Sequence, residues 1–402
     1  VDFDDTPTEA AFRAEARAWL DANATLRTDD SGLSGYLTQR SDHVARCREW
    51  QRTLYEGGWA GITWPEEYGG RGASAIEASI FNQEQSRYDV SVGAFTVGSG
   101  MVGPTIIAHG TDAQKKRYLD PLLRGEEIWC QLFSEPGAGS DLAGLSTRAV
   151  RDGDEFVVNG QKVWTSGAQY SDFAILLVRT DFDQPKHRGI TYLLVDMTSP
   201  GIEVRPLTQI NGAAHFNEVF LSDVRVPMEN LIGEVNAGWG PTLTTLANER
   251  TAIGGGGGVT FAHLDRLARE TGAEREPRLR QDLAAAFTRF EVLRYLGLRV
   301  QTALSQGRPP GAESSVLKLA YSQHLARTAD LVLALEGTAG VLSGADAPSA
   351  GLWQEYFLGQ WAARIGGGTD QIQRNVIGER VLGLPPEPRA DKTMPFRDLA
   401  KA

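Results

Sequence analysis

Cysteine is almost absent from this sequence. Cys47 and Cys130 are the only two, and no Cys-x-x-Cys pair occurs. That excludes a disulfide framework and a cysteine zinc site, and it fits a reducing, cytoplasmic setting. Histidine is also scarce: six residues lie scattered, with no His-x-x-x-His spacing, so no metal site is expected. Long apolar runs are missing as well. The longest, at residues 173–178 and 189–195, are strand-sized, far below the roughly 20 residues of a membrane-spanning helix. No apolar leader stands at the N-terminus. Positive charge is in deficit, with 40 Lys and Arg against 51 Asp and Glu for a net charge of −11. Such a surface argues against nucleic acid and anionic membranes as main partners. An anionic ligand would need a local basic or backbone N–H site.

What is present is ordinary in bulk. Apolar residues make up 41% and charged residues 23% of 402 positions, enough to bury a large core without staples. The first third reads as helical. Residues 9–23 place Phe12, Ala16, Trp19 and Leu20 at helical spacing after a Thr-Pro-Thr-Glu start, and residues 44–57 repeat the pattern. Further helical signals cover residues 74–88 and 114–123. Near Ile128 the pattern changes to short strands. Residues 155–159 and 160–164 are joined at Asn159-Gly160, a hairpin signal. Strands are expected at residues 173–178, 190–195, 201–206 and 218–221, with 224–227 ending the section. Helical spacing returns after Pro241, with helices expected over residues 278–307, 313–335 and 371–381. The Pro-rich, charged stretch after Leu384 predicts a loosely held tail. The expected class is α+β: an N-terminal helical domain (1–128), a middle β-barrel or sandwich domain (129–236), a C-terminal four-helix bundle (237–386) and a tail (387–402).

Five segments carry chemistry. The first runs Gln131-Leu132-Phe133-Ser134-Glu135-Pro136-Gly137-Ala138-Gly139-Ser140-Asp141. The second is Asn159-Gly160-Gln161-Lys162-Val163-Trp164-Thr165-Ser166. Phe216-Asn217-Glu218-Val219 through Asp223-Val224-Arg225-Val226-Pro227 is the third, residues 233–240 the fourth, and Gly368-Thr369-Asp370-Gln371-Ile372-Gln373-Arg374-Asn375 the fifth. In order and spacing this set resembles the acyl-CoA dehydrogenase family, over nearly the whole chain from Phe12 to Leu384. The resemblance implies FAD as cofactor, an acyl-CoA substrate, an electron-transfer flavoprotein as acceptor, and a role in lipid metabolism. It also implies a dimer or tetramer, or a hetero-oligomer with a related subunit. Members oxidise the Cα–Cβ bond of a CoA thioester. The α-hydrogen leaves as a proton, and the β-hydrogen leaves as a hydride to the flavin.

Residue by residue, the resemblance assigns Gln131, Phe133 and Ser134 to the flavin ring, and Gly139 and Ser140 to the pyrophosphate and pantetheine. The glycines allow close backbone approach. Trp164 and Ser166 match a flavin-stacking ring and a hydroxyl contact; the alternative for Trp164 is a core position in the β-domain. Thr369 and Gln371 match residues that hold FAD, and Thr369 also reads as a helix N-cap. The adenine end departs from the pattern. Arg269 is kept but the Phe three residues later is missing, Gln281 is offset by one, and Gly337 lacks the usual preceding Gln. A solvated helix end is the other reading of Arg269 and Gln281. Either FAD is held differently or the chain pairs with a different subunit.

The base is displaced as well. Many members carry a catalytic Glu just before the Gly-Thr of the last motif, where this chain has Gly367. A minority branch, including isovaleryl-CoA and long-chain enzymes, places it on an earlier helix before an Arg. Here Glu249-Arg250 stands at that place, so Glu249 resembles the base, and Arg250 a group facing CoA or a subunit. Five glycines, 254–258, follow. They read either as space for a branched or bulky acyl group or as tight packing or a helix break. An oxidase or monooxygenase of the same fold and a non-catalytic subunit of a heteromeric dehydrogenase are the other readings of the chain.

Overall fold

The computed structural model describes residues 5–27, 42–253, 258–306, 311, 313–388, 391 and 393–399. Internal packing divides it into two compact units that interleave along the sequence. One comprises the described residues of Val1–Arg40, Ser74–Asp89 and Gly254–Pro386. The other comprises those of Ser41–Ala73, Val90–Ile253 and Glu387–Ala402.

The first unit is helical. Its α1, Pro7–Asn23, begins at a capping box: Thr6 accepts from the Glu9 N–H while the Glu9 carboxylate takes the Thr6 N–H. Phe12, Ala16 and Leu20, four residues apart, form its buried stripe. A second helix of this unit, Ala75–Gln85, packs against α1. Four helices, Phe261–Thr271, Pro277–Ser305, Glu313–Glu336 and Leu352–Ile365, share one core that includes Leu267, Ala286, Ala329, Val332 and Trp353. Neither Phe261–Thr271 nor Leu352–Ile365 was among the expected helices, although the first carries Phe261, Leu264, Leu267 and Ala268 at helical spacing. In the latter, Gln354, Glu355, Gln360 and Arg364 are spread around the circumference and so blur the stripe.

The second unit holds an eight-stranded mixed sheet. In chain order the strands are β1 Trp129–Leu132, β2 Arg148–Asp152, β3 Glu155–Ser166, β4 Phe173–Arg179, β5 Ile190–Asp196, β6 Ile202–Leu207, β7 Phe216–Pro227 and β8 Leu231–Ile232. Their spatial order is β6-β7-β3-β2-β4-β5-β8, with β1 pairing β4. β4 and β5 are buried almost throughout, as expected of strands covered on both faces. β1 lies parallel to residues 173–176 of β4, and β2 meets the same strand at Arg179. The chain between them, residues 133–147, is therefore a loop with both ends fixed to one strand.

Asn159-Gly160 is not a hairpin turn, contrary to its sequence signal. It sits inside the continuous β3, beside a register shift against β7. Two contacts explain this. The Asn159 amide donates to the Asp223 carboxylate at 2.9 Å, and its carbonyl takes the Asp223 N–H. A Cβ on Gly160 would stand 2.4 Å from the Thr147 hydroxyl, so the glycine is there for close packing rather than for a turn. The true reversal is at Gly153, with φ +62°, between β2 and β3.

Helix Trp239–Ile253 belongs to this unit, as do a π-helical turn Gly98–Val102 and the helix Gly103–His109 that continues it. No helix of the described residues is long and apolar enough to cross a membrane. The tail differs from expectation. Residues 395–397 are held by backbone hydrogen bonds to the 182–185 loop and by packing of Phe396 on Arg179.

Candidate functional site

The loop after β1 is built around a buried ion pair. Lys162 of β3 is wholly inaccessible, and its ammonium donates to the Glu135 carboxylate at 2.8 Å and to the Phe133 carbonyl at 3.1 Å. Glu135 also accepts from the Ser146 N–H and hydroxyl and from the Thr147 N–H, at 2.7 to 3.0 Å. Burial pushes the Glu135 carboxyl up, but the adjacent ammonium and the N–H donors outweigh it and hold the group below its ordinary range. A buried charge pair survives only when its remaining valences are met, and here they are. Val163 N–H donates to the Ser134 carbonyl at 2.9 Å, so β3 and the loop are joined at two adjacent residues. Sequence reasoning gave Glu135 and Lys162 no role. Their signal was one opposite charge in each of two motifs, and only the fold brings the two together.

Around this anchor the loop offers its expected ligand groups. Phe133 is buried and meets Tyr192 of β5 edge-on, with centroids 6.0 Å apart. Gln131 and Ser134 are half-buried, and Gly139 and Ser140 are exposed. A Cβ at Gly137 or Gly139 would meet nothing within 4 Å, so both present bare backbone to open space.

Trp164 stands on the same strand as Lys162. One extra β3 residue is inserted between Lys162↔Val219 and Thr165↔Asn217, a β-bulge, which re-aims side chains. Lys162 and Val163 are consecutively buried, and Trp164 then turns out, 60% exposed, with φ +62°. Phe216 supports its ring edge-on at 6.0 Å. Ser166, two residues on, is also exposed. Trp164 is therefore not a core residue of the sheet. A large ring held outward in a left-handed conformation suits stacking on a planar ligand.

Glu249 lies on Trp239–Ile253, half-buried. One turn earlier, the buried Thr245 hydroxyl meets Tyr192 Oη at 3.0 Å and Thr105 Oγ1 at 2.9 Å. Thr244 and His109 Nε2 share a further hydrogen bond of 2.8 Å. Residues four apart on a helix share a face, so Glu249 follows Thr245 toward the side where Tyr192 and Phe133 pack. The side chain of Arg250, and residues 254–257 of the glycine run, lie outside the described residues.

The remaining expected residues belong to the helical unit. Thr369 caps Asp370–Val376, its hydroxyl accepting from Ile372 N–H at 3.2 Å. The preceding glycines are held from both sides. Lys318 Nζ donates to the Gly368 carbonyl at 2.6 Å and Gln373 Nε2 to that of Gly367 at 3.0 Å. Gln371 is exposed. Arg269, in the last turn of its helix, pairs with Asp265 at 2.9 Å, and Gln281 is exposed. Gly337 has φ +61° and ends Glu313–Glu336. Within this chain, Arg269 and Gln281 are solvated helix positions.

The second unit is a mixed sheet that projects an aromatic ring and bare glycine backbone, with a half-buried carboxylate on one of its helices. The comparisons name the group. Family models for the acyl-CoA dehydrogenase N-terminal, middle and C-terminal domains match residues 6–126, 130–224 and 236–382. Acyl-CoA dehydrogenase IpdE1 of Mycobacterium tuberculosis (strain ATCC 25618 / H37Rv) is 38% identical over 384 residues, covering 94% of this chain and 98% of that protein. The solved Tcur3481-Tcur3483 steroid ACAD matches with a TM-score of 0.80 at 30% identity, covering 96% of this chain and 100% of that one. The ChsE4-ChsE5 complex from Mycobacterium tuberculosis matches with a TM-score of 0.76 at 32% identity, covering 96% and 100%. The chain belongs to the acyl-CoA dehydrogenase family of FAD-dependent oxidoreductases.

Proposed function

We propose that this chain dehydrogenates an acyl-CoA thioester between Cα and Cβ, with Glu249 as the base that takes the α-proton. FAD, when bound, would supply the acceptor for the hydride that leaves Cβ. The carrying observation is the placement of Glu249, one turn past a threonine tied through Tyr192 to Phe133. The proposal assigns Gln131, Phe133, Ser134, Trp164 and Ser166 to the isoalloxazine end, Gly139 and Ser140 to pyrophosphate and pantetheine, and Thr369 and Gln371 to a further contact with the cofactor. The bulge that exposes Trp164 and the open space at Gly139 support this fit. Closing the site over an acyl chain strips water from Glu249, which raises its proton affinity toward that of a useful base. Electrons then pass to an electron-transfer flavoprotein.

The acyl group we propose is bulky and polycyclic, and the assembly a hetero-oligomer with a related subunit. The first rests on the relative named a steroid ACAD, and both matched structures carry two-component names. Exposed apolar side chains on the helical unit, among them Val341, Ile365 and Leu382 at 89%, 63% and 66%, are consistent with a partner surface.

The test is anaerobic flavin bleaching with a panel of acyl-CoAs, using the FAD-loaded protein with any co-purifying subunit. Glu249→Gln is expected to slow bleaching by about 10²- to 10⁴-fold with little change in the flavin spectrum. Bleaching at the wild-type rate refutes the base assignment. Fastest turnover on short straight-chain acyl-CoAs refutes the bulky substrate.

A further inference from the structure

The flavin-facing loop is held at its near end by Glu135 and Lys162. Its far end is held by a segment more than two hundred residues further along the chain. Pro395 pairs with Pro185 in an isolated antiparallel bridge. Phe396 N–H donates to the Gln184 carbonyl at 2.9 Å, and Arg397 N–H to that of Phe182 at 3.0 Å. Arg397 also forms an ion pair with Asp183. The segment thus lies along residues 182–185, the start of the β4–β5 connection.

Two side-chain links carry this docking into the loop. The Arg179 guanidinium is buried, and its described hydrogen bonds all go to neutral carbonyls. These are Ala143 at 2.7 Å, Leu145 at 2.9 Å and Lys186 at 3.2 Å. The Phe396 ring closes over it, 3.6 Å from ring centroid to guanidinium carbon. The Glu135, Asp141 and Asp181 carboxylates favour its charge from a distance, and the Phe396 face excludes water and adds quadrupole attraction. In the second link, Lys186 Nζ reaches both oxygens of Asp141, at 2.9 and 2.8 Å, and the carboxylate of Asp391 at 2.6 Å. Asp141 is the last residue of the Ser134–Asp141 motif, and Ala143 and Leu145 follow it. Both anchors therefore grip the loop immediately beyond Gly139 and Ser140.

We propose that Asp391 and residues 393–399 form a clasp that positions the ligand-facing loop, acting through Phe396 on Arg179 and through Asp391 on Lys186. Phe396, Asp391, Arg179 and Lys186 are positioning residues that set affinity for FAD and acyl-CoA without taking part in proton or hydride transfer. The inference rests on the reading that Gly139 and Ser140 contact these ligands. Loosening the far anchor lets the loop sample other conformations, so the binding-competent fraction falls and apparent affinity falls with it.

The experiment compares Phe396→Ala, Asp391→Asn and Asp391→Glu with the wild type, in the FAD-loaded protein and its assembled partner. Titration of the apoprotein with FAD, followed by flavin fluorescence, reads cofactor affinity independently of activity. For Phe396→Ala and Asp391→Asn the FAD dissociation constant and KM for acyl-CoA are expected to rise about threefold to tenfold. The bleaching rate at saturating acyl-CoA should stay within about twofold of wild type, since no group acting in the chemical step has changed. Asp391→Glu should restore affinity. Unchanged FAD affinity and KM in Asp391→Asn overturn the clasp. So does a loss confined to the saturated bleaching rate. If Phe396→Ala does not fold, the Asp391 pair decides alone. Ser140→Ala separates the two failures: if it weakens FAD or acyl-CoA binding while Asp391→Asn does not, the clasp fails and the loop reading stands, whereas wild-type affinities in Ser140→Ala remove the loop reading itself.

Discussion

Trp164, proposed above to stack on the flavin, departs from what favours folding. Its φ of +62° lies where an L-residue with a bulky side chain is disfavoured, by about 1–2 kcal/mol. Its ring is exposed, so burial offsets little of that cost. Strain kept at such a position points to function. Trp164→Gly removes both the strain and the ring. The apoprotein is therefore expected to melt at the wild-type temperature or slightly above it, while the FAD dissociation constant rises at least tenfold through lost stacking. Calorimetry of the apoprotein and a flavin titration check the two halves. A large drop in melting temperature with unchanged FAD affinity would make Trp164 structural. Its place in the Asn159–Ser166 motif was legible in the sequence, but its exposure and backbone conformation were not. Both come from a bulge, which depends on the register of β3 against β7 and not on the sequence of β3 alone.

At the scale of elements, Trp239–Ile253 matters most. It carries Glu249, and buried hydroxyls tie it to β5 and to Gly103–His109. Tyr192 from β5, Thr105 from Gly103–His109 and Thr245 meet in one buried cluster with separations of 2.9 and 3.0 Å. Thr245→Val keeps the volume and removes one member. It takes one partner from the Tyr192 hydroxyl and one from that of Thr105, which keeps the Met101 carbonyl at 2.8 Å, a cost of about 1 kcal/mol. If the cluster orients the base, the bleaching rate should fall about threefold to thirtyfold and the isotope effect from α-deuterated substrate should rise, because proton abstraction becomes more limiting. A lower melting temperature with an unchanged rate and isotope effect would confine the cluster to stability. The helix was legible from Pro241 and its spacing, but the cluster was not, because its three members come from different parts of the chain. The same limit explains other differences. β7 is one strand where two were expected, since Asp223, with φ +52°, sits in a bulge and does not end the strand. Gly98–Val102 gives no helical signal, because its glycine-rich composition opposes a helix. A Cβ at Gly103 would fall 1.9 Å from the Trp64 ring, so packing requires glycine there.

Across the whole molecule, sequence order and spatial grouping separate. The order helical, β, helical was legible from changes in periodicity, and it holds. The interleaving was not, because Ala75–Gln85 sits between segments of the sheet-bearing unit but packs with α1. Its anchor is Glu84, buried beside three arginines. Arg17 donates at 2.9 and 3.0 Å, Arg13 at 3.0 Å and Arg87 at 2.8 Å. The Arg17 hydrogen bonds, opposed by burial and helped by Arg13 and Arg87, pull the Glu84 carboxyl down to about 2 from 4.5. A carboxyl whose folded value lies below its unfolded value stabilises fully above the unfolded value. That contribution is lost as pH falls toward the folded one. The window here runs from about pH 4.5 down to about pH 2. With half-exposed arginines screening the cluster, the contribution is roughly 2 kcal/mol. Glu84→Gln should therefore lower the melting temperature of the helical unit by about 4–8 °C near pH 6. That deficit should shrink progressively as pH is lowered from 5 toward 2, because the wild type loses the same charge by protonation. Melting curves of both proteins across that range decide it. A deficit that stays constant with pH would mean that Glu84 acts through packing rather than through its charge.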